Sequence, residues 1–91
     1  MKAFLITYSL KKIGKDYSAL KLILESFPKH LNYMPNGWLI ATDENPVQIH
    51  QKIKPLLDDI DDLLIIEITA NYYGWQSLDT WEWLGNNVTR T

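Results

Sequence analysis

Two segments of the chain, residues 3–8 and 63–69, have the composition of β-strands that are apolar on both faces. Successive side chains of a strand point to opposite faces, and neither parity of these two segments is strongly polar. Each strand therefore needs cover on both sides of its sheet. In a domain of 91 residues, which buries only about 60–65% of its unfolded surface, that cover has to come from helices, from a tail or from a second copy of the chain.

The segment after the first strand predicts a helix and then a hairpin. Asp16 can accept hydrogen bonds from first-turn amides, and apolar side chains recur at helical spacing until Pro28. The sequence Pro-Asn-Gly at 35–37 combines a fixed proline φ with tolerance for positive φ, which is typical of a tight turn. We therefore expect a β-hairpin with strands at 31–34 and 38–41.

A second helix is predicted to begin at Asn45. The Asn45 side chain can accept from the first-turn amides, the following proline loses no needed donor, and Gln48 can reach back to complete a capping box. Pro55 should end or kink this helix because its ring clashes with the preceding turn. After the last strand, Ser77 can cap a short helix over about 78–84.

The predicted order is βαββαβ followed by an aromatic helical tail, in a single domain with its core at 1–70 and its tail at 71–91. This is the order of the ferredoxin-like fold, an α+β antiparallel sheet with two helices on one face. Because two helices leave the other face uncovered, we expect a homodimer that packs sheet against sheet, with the tail closing over an edge or the partner. The predicted interface residues are Leu5, Leu63, Ile65, Trp75 and Trp81. A monomer whose tail covers its own sheet is the alternative.

Composition excludes several classes of protein. The chain has no cysteine, which excludes disulfides and thiolate zinc sites. No segment approaches the roughly 20 apolar residues of a membrane-spanning helix. The first ten residues resemble a signal peptide only faintly, because polar residues interrupt their short apolar run, so we expect a strand in a cytoplasmic protein.

Charge is unevenly distributed along the sequence. Residues 1–30 hold six lysines and two acids, a net charge of +4, whereas residues 31–91 hold three cations and nine acids, a net charge of −6. Such asymmetry is compatible with a basic binding face, with a head-to-tail electrostatic match, or with solvated faces that differ in sign.

Several segments resemble a known family. They are Ile6-Thr7-Tyr8-Ser9-Leu10, Gly14-x-Asp16-Tyr17, Trp38-Leu39-Ile40, Leu64-Ile65-Ile66-Glu67-Ile68-Thr69, and Gly74-Trp75 before Trp81-Glu82-Trp83-Leu84. Together they resemble the small bacterial and phage proteins labelled SinR family, relatives of the second CRISPR adaptation protein. Their compact endonuclease-like fold is shared with some toxin–antitoxin components. The resemblance spans nearly the whole chain.

The resemblance implies a ferredoxin-like homodimer and, in the catalytic relatives, a metal-dependent phosphodiesterase. In those relatives an aspartate at the end of the first strand of each subunit binds a shared divalent ion. The matching position here is Ser9, and a neutral hydroxyl is a poor ligand for such an ion. The non-catalytic relatives are therefore the better model, and no metal ligand or cofactor is assigned. In the alternative interpretation, a degenerate magnesium-dependent endonuclease would use Ser9, Asp16 or Glu67.

Two further groups of residues are candidates for binding. Lys11, Lys12 and Lys15, with Tyr8 and Tyr17 nearby, could hold a nucleic-acid backbone, but a solvated lysine loop is favoured because several lysines in one loop are common on protein surfaces. The aromatic residues between Tyr72 and Trp83 could form a stacking platform, but packing is favoured because acids intersperse the last helix. The acidic run 58–62 lacks the glycine and bidentate glutamate of a calcium loop and predicts a solvated turn.

These observations favour a small homodimeric, non-catalytic interaction module, regulatory in a phage, mobile-element or toxin–antitoxin setting. Its target would be a protein or, as the second choice, nucleic acid bound through the lysine loop. The degenerate endonuclease is the alternative. A third interpretation is a structural dimer whose function lies in a genomic neighbour.

Overall fold

The computed structural model describes residues 1–88 and has an α+β architecture with one four-stranded antiparallel sheet and three α-helices. The elements in chain order are β1 (Lys2–Ser9), α1 (Ser18–Glu25), β2 (Lys29–Met34), β3 (Gly37–Thr42), α2 (Pro46–Ile53), a 3-10 helix (Lys54–Leu56), β4 (Asp62–Ile68) and α3 (Leu78–Asn87). The predicted α+β class and antiparallel sheet are confirmed. None of the helices within residues 1–88 is long and apolar enough to cross a membrane.

The strand order is β2-β3-β1-β4, so β1 and β3 are central and β4 lies at an edge. β1 pairs antiparallel with both neighbours: Leu5 is opposite Leu39 on one side and Ile66 on the other. The first strand is therefore flanked by strands on both sides, and the last strand, β4, has one side unpaired among residues 1–88.

One face of the sheet, which we call the helical face, carries α1 and α2. Buried residues of the central strands contact buried residues of the two helices there. The cluster comprises Phe4, Ile6, Trp38 and Ile40 from the strands, Leu20 and Leu24 from α1, Phe27, and Ile49 and Ile53 from α2. The apolar side chains predicted at helical spacing in the first helix thus point at the sheet, as do Ile49 and Ile53 of α2.

The opposite face, which we call the α3 face, is covered by the tail of the same chain. Ala3 and Leu39 from the sheet form a buried cluster with Leu84 and Val88 from the tail. The tail therefore packs on its own sheet, as in the alternative prediction, rather than over a free edge. Because Leu84 and Val88 belong to the predicted tail, the buried residues are not confined to the predicted core at 1–70.

Local sequence signals explain where the helices begin and end. Asn45 and Gln48 form both hydrogen bonds of the predicted capping box, each with a donor–acceptor distance of 2.8 Å. α2 ends at Ile53, and Pro55 lies in the separate 3-10 helix that follows. Ser77 caps α3, which extends three residues beyond the predicted end at 84.

The β2–β3 hairpin forms where it was predicted, but Gly37 has a different role from the one expected. Among the described residues a positive φ occurs at Gly14, at 81°, and not in the hairpin turn. A Cβ atom at Gly37 would lie 2.5 Å from Met34 Cγ and 2.9 Å from a ring carbon of Tyr33. Glycine at 37 therefore leaves space that the Met34 and Tyr33 side chains occupy, and its backbone conformation does not require glycine.

Candidate functional site

Ser9 ends β1 at one end of the sheet, opposite Asp62 on β4. Both side chains are exposed. Residues directly opposite each other in antiparallel strands have their Cβ atoms about 5 Å apart on the same face. The position that carries the acid in the catalytic relatives thus presents a neutral hydroxyl beside one carboxylate.

We expect replacement of Ser9 by aspartate to destabilise the fold by roughly 0.5–1 kcal/mol at neutral pH, because it places a like charge directly opposite Asp62. Thermal unfolding measures the change, and Ser9→Asn is the matched control of similar size. A Ser9→Asp variant as stable as the asparagine variant would show that the added carboxylate is not repelled by Asp62, and would contradict this expectation.

Asp61 organises the loops beside Ser9. Its carboxylate accepts hydrogen bonds from the backbone N–H of Lys11 at 2.7 Å, from the Tyr17 hydroxyl at 2.7 Å and from the backbone N–H of Asp58 at 2.8 Å. We call this network of Asp61 with Lys11, Tyr17 and Asp58 the Asp61 clasp. It joins the loop after β1 to the turn before β4, so the acidic run is more than a solvated turn.

The hydrogen bonds of the Asp61 clasp shift the pKa values of Asp61 and Tyr17. Partial burial raises the pKa of Asp61, but the three hydrogen bonds to its carboxylate outweigh that effect and the pKa lies below the ordinary value for aspartate. Burial and the hydrogen bond to Asp61 raise the pKa of Tyr17. Asp61 is therefore a charged acceptor at neutral pH, with Tyr17 as a neutral donor.

The predicted nucleic-acid-binding residues lie together, but most of their polar groups already have partners in this chain. Lys11 Nζ lies 2.7 Å from Asp62 Oδ2, and Lys15 Nζ lies 5.2 Å from the centre of the Tyr17 ring. The Tyr8 hydroxyl accepts from Trp38 Nε1 at 3.1 Å. The lysine loop therefore faces the acidic turn, where Lys11 is held in an ion pair, whereas Lys12 is exposed.

The three catalytic candidates do not converge. Glu67 is opposite Phe4 in the β1–β4 ladder and pairs with Lys2, 3.7 Å from Nζ to Oε1. Phe4 lies five residues from Ser9 along β1, about 17 Å for a strand that rises about 3.4 Å per residue. Glu67 and Ser9 are thus at opposite ends of the sheet and cannot share one ion.

Asp16 serves the start of α1. Its Oδ1 accepts from the backbone N–H of Ser18 at 2.9 Å, and hydrogen bonds from Ser18 lower the pKa of Asp16. It acts from one position before the helix cap, Tyr17, rather than as the cap residue itself. In residues 1–88 no group of three or more histidine or acidic side chains is placed to hold a metal ion.

The α3 face is the second candidate site, because α3 covers only part of it. Leu64 and Ile66 on the edge strand β4 remain 56% and 47% exposed. They share this face with Leu5 and Ile68, which contact the buried cluster under α3. We call Leu64 and Ile66 the exposed strip.

The five predicted interface residues are divided among three environments. Leu5 and Trp81 pack against the cluster under α3, whereas Leu63 and Ile65 point to the helical face and pack against its core. Trp75 is 97% exposed. Within the predicted set, Trp75 therefore has its side chain most free to contact a partner.

An open cavity of about 230 Å³ lies beside the exposed strip, between the sheet and the tail. Its walls are largely apolar. They include Leu5, Leu39 and Ile68 from the sheet, Tyr33 from β2, Trp81 and Leu84 from α3, and Tyr72, Tyr73 and Gly74 from the connecting segment. Sequence patterns did not predict this cavity, because it depends on where the tail docks, and no local signal marks that position.

Comparison of the chain with protein-family models, with curated proteins and with solved structures found no significant match.

Proposed function

We propose that this chain is a ferredoxin-like, homodimeric and non-catalytic interaction module of the SinR-like, CRISPR-adaptation-related class. Its setting would be regulation in a phage, mobile element or toxin–antitoxin system. The fold part of the proposal draws on the strand order β2-β3-β1-β4 and on the placement of α1 and α2 on one face. The helix on the opposite face is an addition to that arrangement. The class assignment draws on the sequence resemblance.

The exposed strip is the observation that carries the interaction role. Leu64 and Ile66 lie on an edge strand whose outer side is not paired with any strand of residues 1–88, and both are about half exposed. Tyr73 and Trp75, in the segment that follows β4, are 100% and 97% exposed. Exposed apolar side chains on an unpaired edge strand and on the segment that follows it support an interaction role, because water contact with them is unfavourable.

Ser9 and the carboxylates near it support a non-catalytic role. A phosphodiesterase of the related kind needs an anionic ligand for its metal at the end of β1, and Ser9 offers a hydroxyl. The carboxylate opposite Ser9, Asp62, already pairs with Lys11 Nζ at 2.7 Å. The next carboxylate, Asp61, already accepts three hydrogen bonds that hold two loops together. Its recruitment as a metal ligand would break contacts that the fold uses.

Sedimentation from micromolar to submillimolar concentration tests the dimer. We expect the unaltered chain to dimerise, and we expect Ile66→Lys to weaken the dimer by about 10–30-fold because it places a charge in an apolar contact. Leu22→Lys is the matched control, since Leu22 is 68% exposed on α1, and it should leave the dimer unchanged. A chain that stays monomeric throughout, or an equal effect of both variants, would refute the proposal.

Incubation with RNA or DNA and magnesium or manganese tests the absence of catalysis. We expect no cleavage. Cleavage that disappears in Asp16→Ala or Glu67→Ala would establish the endonuclease alternative in its place.

A further inference from the structure

Trp75 combines almost complete exposure with a position at the rim of an apolar cavity. Its neighbours Tyr73, Gly74 and Gln76 line the cavity, whereas the Trp75 side chain is 97% exposed. The indole therefore lies outside the cavity of its own chain.

The cavity has the size and chemistry to hold an indole ring. A closed apolar cavity of about 150 Å³ is enough for benzene, so about 230 Å³ of open cavity accommodates the larger bicyclic ring. A buried indole N–H needs an acceptor. Tyr33 and Thr80 are both among the lining residues and carry hydroxyl groups that can accept.

The surface around the cavity has nearly the area that a dimer requires. Exposed aromatic side chains contribute about 150–250 Å² each, so Trp75 and Tyr73 with the exposed strip offer roughly 600 Å². A standard interface buries about 800 Å² per partner. The strip adjoins the cavity directly, because Ile66 is opposite Leu5, which lines it.

We infer that two copies of this chain exchange Trp75, so that the indole of each copy occupies the cavity of the other. The Trp75 indole and the cavity lie side by side on one surface. A two-fold axis beside them brings the indole of each copy to the partner's cavity, so both contacts form at once. This inference rests on the proposed homodimer and specifies its contact. It assigns Trp75 as the anchor residue and the cavity under α3 as its receptor.

Two complementary variants test the exchange. Trp75→Ala removes the indole that enters the partner and leaves the cavity open. Leu5→Trp keeps Trp75 but fills the cavity with the side chain of a residue that lines it. We expect each variant alone to dimerise far more weakly than the unaltered chain, by up to ~1000-fold if each buried tryptophan contributes ~30-fold. An equimolar mixture should recover ~30-fold in affinity, because one of the two contacts forms again.

Sedimentation of each variant and of the mixture gives the result, and circular dichroism of each variant verifies that the sheet is intact. Ile13→Ala is the control for removal of an exposed apolar side chain, since Ile13 is 97% exposed in the loop after β1, and it should not change dimerisation. A mixture no tighter than the separate variants overturns the exchange while leaving the dimer standing. An unaltered chain that remains monomeric overturns both the exchange and the proposed homodimer.

If Leu5→Trp does not fold, ¹⁹F NMR of the unaltered chain labelled with fluorotryptophan tests the same contact. The Trp75 resonance is assigned by its loss in Trp75→Phe. We expect it to move from an exposed to a buried shift as concentration rises. A Trp75 resonance that keeps its exposed shift in the dimer contradicts the exchange.

Discussion

Replacing Leu84 with alanine is expected to lower the free energy of unfolding by about 2–3 kcal/mol. Leu84 is 7% exposed and joins α3 to Ala3 and Leu39 on the sheet. The substitution removes apolar contacts and enlarges the cavity that Leu84 lines, so both the transfer of surface and the void contribute to the loss. Unfolding in urea, followed by circular dichroism, measures it.

Leu78→Ala is the matched control, because it is the same substitution in the same helix at a side chain that is 66% exposed. Its effect should stay within about 0.5 kcal/mol. Equal effects at the two positions would mean that α3 does not dock on the sheet. The same result would remove the wall of the cavity into which we place Trp75.

Replacing Asp61 with asparagine is expected to destabilise the chain at neutral pH and to remove part of its sensitivity to acid. The variant loses a charged acceptor that bonds Lys11, Tyr17 and Asp58 together. Asp59→Asn is the control, since Asp59 lies in the same turn but is exposed and outside the Asp61 clasp. We expect the midpoint of thermal unfolding to fall clearly further for Asp61→Asn.

The pH dependence follows from the direction of the Asp61 shift. Its pKa is lower in the folded chain than in the unfolded chain, where aspartate titrates at about 3.9. Its contribution is therefore present above about pH 4 and is lost as the pH falls through the folded value. The difference between the unaltered chain and Asp61→Asn should be largest near neutrality and should shrink in acid. Equal pH profiles for both would contradict the clasp.

Local chemistry allowed much of the fold to be predicted. The Asn45–Gln48 capping box, the turn at Pro35 and the separate turn at Pro55 each depend on residues within a few positions of one another. The structures that these short-range patterns specify form in the same way however the rest of the chain folds. The role of Gly37 was harder, because the space that it leaves for Met34 becomes visible only when the hairpin is built.

The two candidate sites depend on long-range placement and were less predictable. The bonds from Asp61 to Lys11 and to Tyr17 span 50 and 44 residues, and nothing in the sequence near Asp61 distinguishes it from the other aspartates of its turn. Likewise, an aromatic tail is equally suited to its own sheet and to a partner's. Its composition predicts burial but does not identify the surface that provides it.

The position of α3 at the end of the element order has a consequence for folding. All four strands precede residue 69, whereas the helix that covers one of their faces lies at 78–87. Whenever the sheet forms before α3 docks, Leu5 and Leu39 face water, and transiently exposed apolar surface of this kind promotes aggregation. The rate at which α3 docks thereby becomes a determinant of how much chain reaches its native state.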